Sequence, residues 1–292
     1  MEQIITTIIN GLSLGGVYAL IALGYTMVYG IAKMLNFAHG DIIMVGSYTI
    51  FVFMNATGHP IIAAIFAAVI CVLLGTVMER LAYKPLRGAS PLAVLITAIG
   101  VSYLLQSLSQ IIFGPTPKTV IVADLGVTKF GDKIAISNSS IMTLILTVVI
   151  MIALTLFIKF SKTGRAMLAV SEDRDAAKVM GVNVNAIITV TFSIGAFLAA
   201  VASLFYLLKY PSISNTMGSM PGIKAFTAAV IGGIGSIPGA MLGGILLGVI
   251  ECIFNSFPSI APYTDAVEFG ILIVLLLIRP NGILGKKKRE KV

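Results

Sequence analysis

Few residues of this sequence are of the types that carry out chemistry. It contains two histidines, His39 and His59, and two cysteines, Cys71 and Cys252, which lie in apolar runs and are expected to pack as small hydrophobic groups. No zinc-protease helix motif, Cys-x-x-Cys pair or phosphate-binding loop occurs, because the stretch 282–286 lacks both the spacing and the following hydroxyl. We therefore predict no catalytic residue, metal ligand or cofactor, and any ATP-driven step must come from a partner protein.

Acidic residues within apolar segments are the next candidates, because a charge at bilayer depth is costly and usually functional. Asp41 and Glu251 lie inside such segments, while Asp265 and Glu268 stand at the start of the last one. Asp41 follows Gly40 at a predicted helix start, where an acid interacts favourably with the helix dipole. For Glu251 two interpretations stay open, a packing acid and a residue near a transport path.

The composition indicates a membrane protein. Hydrophobic residues make up 58% of the chain and charged residues 11%, with a mean hydropathy of +1.02, whereas soluble domains carry about 25% charge. Runs such as 141–158 and 269–278 are apolar on every side, which predicts helices rather than the alternating strands of a barrel. We predict an all-α, polytopic transmembrane helix bundle that forms one domain over residues 1–292.

Apolar segments bounded by charge, proline or glycine indicate the membrane-spanning helices. They fall at about 4–31, 40–56, 61–82, 91–113, 140–160, 184–208, 223–235, 238–256 and 264–279. The first carries no signal-cleavage pattern, so we expect it to be retained. The seventh is too short to cross alone, and the glycine-rich stretch 232–239 predicts a broken or re-entrant helix that neighbouring helices must shield. The sequence thus predicts eight or nine membrane segments.

The basic residues predict the orientation, because cytoplasmic connections collect Lys and Arg. Fifteen of the 20 fall in one alternate set of connections, including a basic tail at 280–292, if the N-terminus is outside. The opposite set, helix edges included, holds the remaining Lys118, Lys129, Lys133, Lys209 and Lys224. This asymmetry predicts an N-terminus outside, a C-terminus inside and an odd number of crossings. It also accounts for the net charge of +8 beside anionic lipid, without nucleic acid.

The largest polar stretch, about 161–185, is predicted to be a cytoplasmic loop that contains one short helix. Ser171 is the expected N-cap, Glu172 and Asp173 the first turn, and Gly181 the C-terminal stop. Such a helix either lies on the membrane surface or enters a groove on a soluble partner. Its small apolar face is formed by Ala176, Ala177, Val179 and Met180. The pattern alone leaves both interpretations open.

Small residues at helical spacing recur through the apolar segments, as in Gly11 with Gly15 and Gly244 with Gly248. Such pairs let helix backbones approach closely, and broken glycine-rich helices also line substrate paths at mid-membrane depth. We predict that a translocation path is lined by residues of the first segment, of the following loop and of the glycine break. These residues are Ser13, Gly15, Gly16, Tyr18, Asn36, Gly232, Gly233 and Gly235.

Several long stretches resemble one family, the permease subunits of bacterial ATP-binding-cassette importers for branched-chain amino acids. They are NGLSLGGVYAL at 10–20, GYTMVYG at 24–30, NFAHG at 36–40, KAFTAAVIGGIGSIPGA at 224–240 and RPNGILG at 279–285. The resemblance covers nearly the whole chain in one order. It implies a multi-pass protein of the bacterial cytoplasmic (inner) membrane that provides half of a path for leucine, isoleucine or valine.

The same resemblance implies partners: a second permease subunit, two cytosolic ATP-binding-cassette ATPase subunits and an extracytoplasmic amino-acid-binding protein. In such importers a cytoplasmic loop of the pattern Glu-Ala-Ala-x-x-x-Gly docks on the ATPase, and residues 175–181 fit that spacing with Asp for Glu. The Leu-Pro-like ending expected near Thr191 and Phe192 is absent. The implied coupling residues are Glu172, Asp173, Arg174, Asp175, Ala176, Ala177 and Gly181.

Two other functions remain open at this stage. A member of the same family that carries urea or short amides would use a similar scaffold. An ion-coupled secondary carrier of amino acids would work without partners, but the bundle is poor in acids and the cytoplasmic loop is large, and both features favour the partner-driven importer.

Overall fold

Long apolar runs fold as helices in lipid because every backbone N–H and C=O must find its partner within the segment. The computed structural model describes residues 2–123, 125–130 and 134–285, and within these ranges eight helices are long and apolar enough to cross a membrane. They are α1 (Glu2–Ala32), α2 (His39–Thr57), α3 (Pro60–Met78), α4 (Pro91–Phe113), α5 (Asn138–Phe160), α8 (Val184–Lys209), α10 (Ile237–Asn255) and α11 (Thr264–Ile278). Helix α11 reaches spanning length only together with the 3-10 turn that begins at Ala261. The predicted polytopic bundle is confirmed.

Shorter elements connect these spans. Three further α-helices are α6 (Lys162–Glu172), α7 (Arg174–Val179) and α9 (Ser219–Gly232). A π-helical turn at Glu79–Tyr83 and a 3-10 turn at Lys84–Leu86 extend α3, and a 3-10 turn at Ala261–Tyr263 precedes α11. Four short strands form two antiparallel pairs, β1 (Lys118–Thr119) with β4 (Ser212–Ile213) and β2 (Val127–Phe130) with β3 (Ile134–Ser137).

Helix α1 lies at the centre of the bundle. Residues 19–23 have no exposed surface, which means that neighbouring helices surround α1 on every side there. It packs lengthwise and antiparallel against α10, where Gly248 lies against the backbone of Gly15, and Gly244 against that of Ala19. A Cβ at either α10 glycine would collide with the α1 backbone, so these glycines set the close approach of the two helices.

Helices α4, α5 and α11 form the periphery. Each exposes large aliphatic side chains along its length, such as Ile111, Ile145 and Leu277. In a membrane such faces meet lipid tails or another subunit, and their exposure follows the uniformly apolar sequence of these segments.

Helix α9 is the broken element. Its 14 residues rise only about 21 Å at 1.5 Å per residue, less than the ~30 Å of a hydrocarbon core. It begins beside the start of α2, where Gly218 meets Gly40 backbone to backbone, and ends near Gly235, which lies against Gly30 of α1. The predicted short seventh segment is therefore a half-length helix, and residues 210–218 supply the rest of the crossing as strand and turns.

The chain ends lie at opposite ends of the bundle. Thr7, near the start of α1, is 3.1 Å from Ser256 after α10 through their hydroxyl oxygens. At the other end Gly285 lies against Gly233, close to the end of α1. This arrangement agrees with an odd number of passages, eight long helices and the half-length α9. Residues 286–292 of the predicted basic tail lie outside the described residues.

Candidate functional site

The polar loop after α5 holds two helices rather than the single one predicted. Ser161 caps α6, its hydroxyl accepting from the Gly164 N–H at 2.8 Å. Asp173 caps α7, its carboxylate accepting from the N–H groups of Asp175 and Ala176 at 3.0 Å each. Ser171 was wrongly predicted as the N-cap, because it lies in the last turn of α6 and donates back to the chain. Both acids of the expected first turn precede α7.

The end of α7 follows the prediction. Gly181 has a φ of +83°, the left-handed conformation that glycine adopts without strain. The N–H of Val182 donates to the carbonyl of Ala177 at 3.0 Å, and that of Gly181 to Lys178, which closes the helix. Val179 is 86% exposed beside this stop, so the end of α7 presents apolar surface outward.

Ala177 differs from its expected place. It is 4% exposed and faces the chain's own bundle rather than a partner. Val179 and Met180, which belong to the same predicted apolar face, do point outward, and Met180 is 82% exposed. The remaining coupling candidates, Glu172, Asp173, Asp175, Ala176 and Gly181, are exposed on the same loop.

Arg174 ties α7 to the membrane helices. Its guanidinium donates to the carbonyl of Ile31 at 3.0 Å, in the last turn of α1. A cation at a helix C-terminus is favourable because the last carbonyls carry partial negative charge. Burial and the nearby Arg87 lower the pKa of the Arg174 guanidinium, which nevertheless stays charged. Movement of α7 therefore reaches α1 through a direct contact.

The glycine break between α9 and α10 depends on backbone freedom. Gly233 and Gly235 have φ values of +107° and +91°, which L side chains rarely adopt. Ser236 then starts α10, its hydroxyl accepting from the Gly239 N–H at 3.2 Å. The last carbonyls of α9 are taken by the chain after α11, because Ile283 and Leu284 donate their N–H groups to Ile231 and Gly232.

Two helix starts meet inside the bundle. Helix α2 begins beside Gly24, eight residues before the last residue of α1, hence about 12 Å short of that end at 1.5 Å per residue. The start of α9 lies against it, and Gln106 of α4 donates to the carboxylate of Asp41 at 2.9 Å and to the hydroxyl of Ser219 at 3.3 Å. From the sequence, only the helix start accounts for Asp41. Gln106 gives no signal there, because its hydrogen bonds join segments that are distant in the chain.

The predicted path residues do not share one cavity. Gly15 and Gly16 pack against α10 and α5 respectively, and Gly232 packs against Gly239. Asn36 accepts a hydrogen bond from the hydroxyl of Tyr83 at 2.7 Å.

The other path candidates lie elsewhere. Tyr18 donates to the carboxylate of Glu251 at 2.8 Å. Gly233 and Gly235 form the break itself. Ser13 lines a cavity at the end of the bundle where α1 starts. The role of all eight as path residues stays a prediction. The structure shows close packing for Gly15, Gly16 and Gly232, and a positive φ for Gly233 and Gly235.

A cluster of ionisable side chains lies between α9, α10 and α11. Lys224, which the charge count assigned to a connection or helix edge, is buried within α9. Its ammonium lies 3.1 Å from Glu251, 2.8 Å from Asp265 and 3.3 Å from Glu268. Glu268 is 1% exposed, and its Oε1 has no hydrogen-bond partner among the described residues. One lysine thus faces three carboxylates, and Glu251 has an ion-pair partner; a role of Glu251 near the transport path stays a prediction.

Comparisons with known proteins agree with this architecture. A family described as the permease component of branched-chain amino acid transport systems matches residues 7–276. The "High-affinity branched-chain amino acid transport system permease protein BraD" of Pseudomonas aeruginosa is 47% identical over 98% of this chain and 97% of its own.

Two further relatives extend the match. The high-affinity branched-chain amino acid transport system permease protein LivH of Escherichia coli K12 is 44% identical over 97% of this chain and 96% of its own. A probable branched-chain amino acid transport permease protein LivH of Methanocaldococcus jannaschii is 29% identical over 91% of this chain and 88% of its own. This chain, a multi-pass membrane protein, belongs to the family of permease components of branched-chain amino acid transport systems.

Proposed function

We propose that this chain is the membrane-spanning subunit of an ATP-binding-cassette importer that translocates branched-chain amino acids across the bacterial cytoplasmic membrane. The observation that carries the proposal is the 47% identity to a high-affinity branched-chain amino acid permease over almost the full length of both chains. Because the match covers both chains almost completely, we expect the two proteins to share the same arrangement of membrane spans, glycine break and cytoplasmic loop. The chain acts as one permease domain, and ATP hydrolysis takes place in separate subunits.

The assembly that follows contains a second permease subunit, two cytosolic ATPases and an extracytoplasmic amino-acid-binding protein. The N-terminus lies outside and the C-terminus in the cytoplasm. This orientation is supported by the way the fold gathers the basic groups, since Arg174 reaches the end of α1 and Arg87 pairs with Glu79 at that same end. The end with β1 and β4 then faces the receptor.

The loop of α6 and α7 is the ATPase-docking element in this proposal. Two features support it: the exposed apolar pair Val179 and Met180, and the link from Arg174 to the last turn of α1. An apolar pair at the end of a capped helix fits a groove on a soluble partner. Because Arg174 holds α1, and α1 packs along α10, movement of the docked helix reaches the glycine break.

Uptake by the reconstituted complex tests the substrate. With the receptor, both permeases and both ATPases in proteoliposomes, we expect ATP-dependent accumulation of radiolabelled leucine, which unlabelled valine and isoleucine compete away. Urea should neither accumulate nor compete. Accumulation of urea in place of leucine would overturn the substrate assignment, and leucine uptake without ATPase subunits would overturn the partner-driven mechanism.

A charge at the exposed tip of α7 tests the docking role. Val179→Asp places a carboxylate in the proposed groove, where an unpaired charge is costly to desolvate. We expect loss of ATPase co-purification while the subunit remains in the membrane. Ile121→Asp, which changes another exposed aliphatic side chain at the opposite end of the bundle, is the matched control. A normal complex with Val179→Asp would remove the docking assignment.

Impermeant thiol labelling tests the orientation. Single cysteines at Thr116 and Lys162, both exposed and at opposite ends of the bundle, are introduced into a Cys252→Ser background, since Cys71 is buried. Thr116→Cys should react in intact cells and Lys162→Cys only after the membrane is opened. The reverse pattern would invert the proposed topology.

A further inference from the structure

A polar cavity opens at the end of the bundle where α1 starts, between α1, α5, α8 and α10. Its volume is about 410 Å³, within the range of sites for small molecules. Hydroxyl, amide, amine and thiol groups line it, including those of Asn10, Ser13, Ser140, Thr143, Lys209 and Cys252. We call this cavity the outer pocket.

Lys209 gives the outer pocket its charge. Among the described residues no carboxylate lies within 4 Å of its ammonium, unlike that of Lys224. The ammonium has the carbonyl of Asn10 at 3.4 Å, the sulfur of Cys252 at 3.9 Å and the ring of Tyr210, whose centroid is 5.7 Å away. None of these three groups is anionic. A lysine held at a cavity wall without a counter-charge favours an anionic group inside the cavity.

The remaining walls suit the other parts of a small amino acid. The side-chain oxygen of Asn10, which accepts from Ser140 at 3.0 Å, and the nearby hydroxyls are acceptors of the kind an ammonium group uses. Leu208 and Tyr210 flank Lys209 in the chain and add apolar surface to the same wall. The pocket thus offers a cation, several acceptors and an apolar side together.

We propose that the outer pocket binds the cargo as a zwitterion, with Lys209 pairing with its carboxylate and the Asn10 wall receiving its ammonium group. The proposal rests on the importer function and adds a site to it: the first place that an amino acid occupies after leaving the receptor. Ser13, predicted as a path residue from sequence, then lies in this site. Inorganic anions share the carboxylate chemistry, so the test must separate the two sources.

A native cysteine, Cys252, can be used to measure ligand binding in the outer pocket. Cys252 lines the outer pocket and is partly exposed, whereas Cys71, the other of the two cysteines, is buried. In the assembled importer complex in nanodiscs, a small charged methanethiosulfonate should therefore modify this subunit at Cys252. Peptide mass spectrometry follows the rate at that residue. Bound amino acid should slow the reaction by covering the thiol.

Three ligands separate the contributions of the carboxylate and the amine of leucine. At roughly three times its dissociation constant, leucine should slow labelling about fourfold by mass action. Isocaproate, which keeps the carboxylate and lacks the amine, should also protect, whereas isoamylamine, which lacks the carboxylate, should not. Protection by chloride or phosphate equal to that by leucine would show a general anion site and overturn the assignment to cargo.

Variants complete the test. Lys209→Met should abolish protection by leucine, judged as the ratio of rates with and without ligand, so that any change in intrinsic thiol reactivity cancels. Lys118→Met, at a lysine of the same end of the bundle outside the pocket, should keep the fourfold ratio. Equal ratios in the two variants would overturn the proposal, as would labelling that leucine never slows. If the wild-type complex accumulates leucine but leucine does not protect Cys252 from labelling, the pocket assignment is wrong while the importer function is still supported.

Discussion

Two lysines of this protein lie among its membrane helices in opposite electrostatic settings. Lys224 is enclosed by three carboxylates, at 2.8 to 3.3 Å from its ammonium. Lys209, at the last residue of α8, has a carbonyl, a sulfur and the face of the Tyr210 ring near its ammonium. The ammonium of Lys224 is therefore surrounded by acidic groups of the protein, whereas the ammonium of Lys209 faces a cavity.

The difference separates two uses of charge in a bilayer. A buried ion is tolerated when partners within the protein replace water, and the Lys224 cluster joins three helices in doing so. An ion without such partners must have water or a ligand beside it. Lys224 thus holds the half-length α9 against α10 and α11, while the ammonium of Lys209 faces the outer pocket.

Removing Lys224 should have the largest effect. Lys224→Met leaves Glu251, Asp265 and Glu268 facing one another without a cation, and breaking a buried ion pair costs roughly 3–5 kcal/mol. We expect the variant to be poorly retained in the membrane and its purified form to unfold well below the wild-type temperature. Thermal unfolding of the detergent-solubilised complex measures this. An unchanged unfolding temperature would show that the cluster contributes nothing to holding α9.

Removing one acid should have a smaller effect. Glu268→Gln keeps the shape and leaves Lys224 with two carboxylates, so the excess of negative charge falls. Because Glu268 Oε1 has no hydrogen-bond partner in the part of the chain that the structure describes, we expect the free energy of unfolding to change by less than about 1 kcal/mol, in either direction. In the Lys224→Met background the same substitution should raise the unfolding temperature. A loss as large as that of Lys224→Met would mean that Glu268, not Lys224, is the centre of the cluster.

Removing Lys209 should affect stability least. Lys209→Met deletes a charge that has no carboxylate within 4 Å among the residues that the structure describes. We expect the free energy of unfolding to change by no more than about 0.5 kcal/mol, so the unfolding temperature should shift only slightly. Leucine uptake should nevertheless fall in the same preparation. If Lys209→Met were as strongly destabilised as Lys224→Met, both lysines would be structural residues and the distinction between them would be wrong.

Much of the fold could be predicted from the sequence because bilayer thickness and backbone hydrogen bonding leave few choices. The long apolar runs became the eight spans, and the short run before the glycines at 232–239 became the half-length α9. The stop at Gly181 was likewise local, since a left-handed residue after a helix needs glycine.

What could not be predicted depends on distant segments. Lys224 looked like a helix edge because its carboxylate partners come from the next two helices in the chain. Ala177 looked available to a partner because a six-residue helix does not reveal which face its own bundle covers. The N-cap was misplaced by two residues because Ser171 and Asp173 are both good caps, and only tertiary packing selects one.

The cap that residues 281–285 form on α9 has a consequence for how the protein is made. Helix α9 leaves the ribosome before α10 and α11, yet the donors for its last carbonyls, Ile283 and Leu284, are synthesised after both. Until then the last carbonyls of α9 lack the backbone donors that they have in the folded protein. The end of α9 therefore reaches its final hydrogen bonding only after the last span has been synthesised, so this part of the fold is completed at the end of translation.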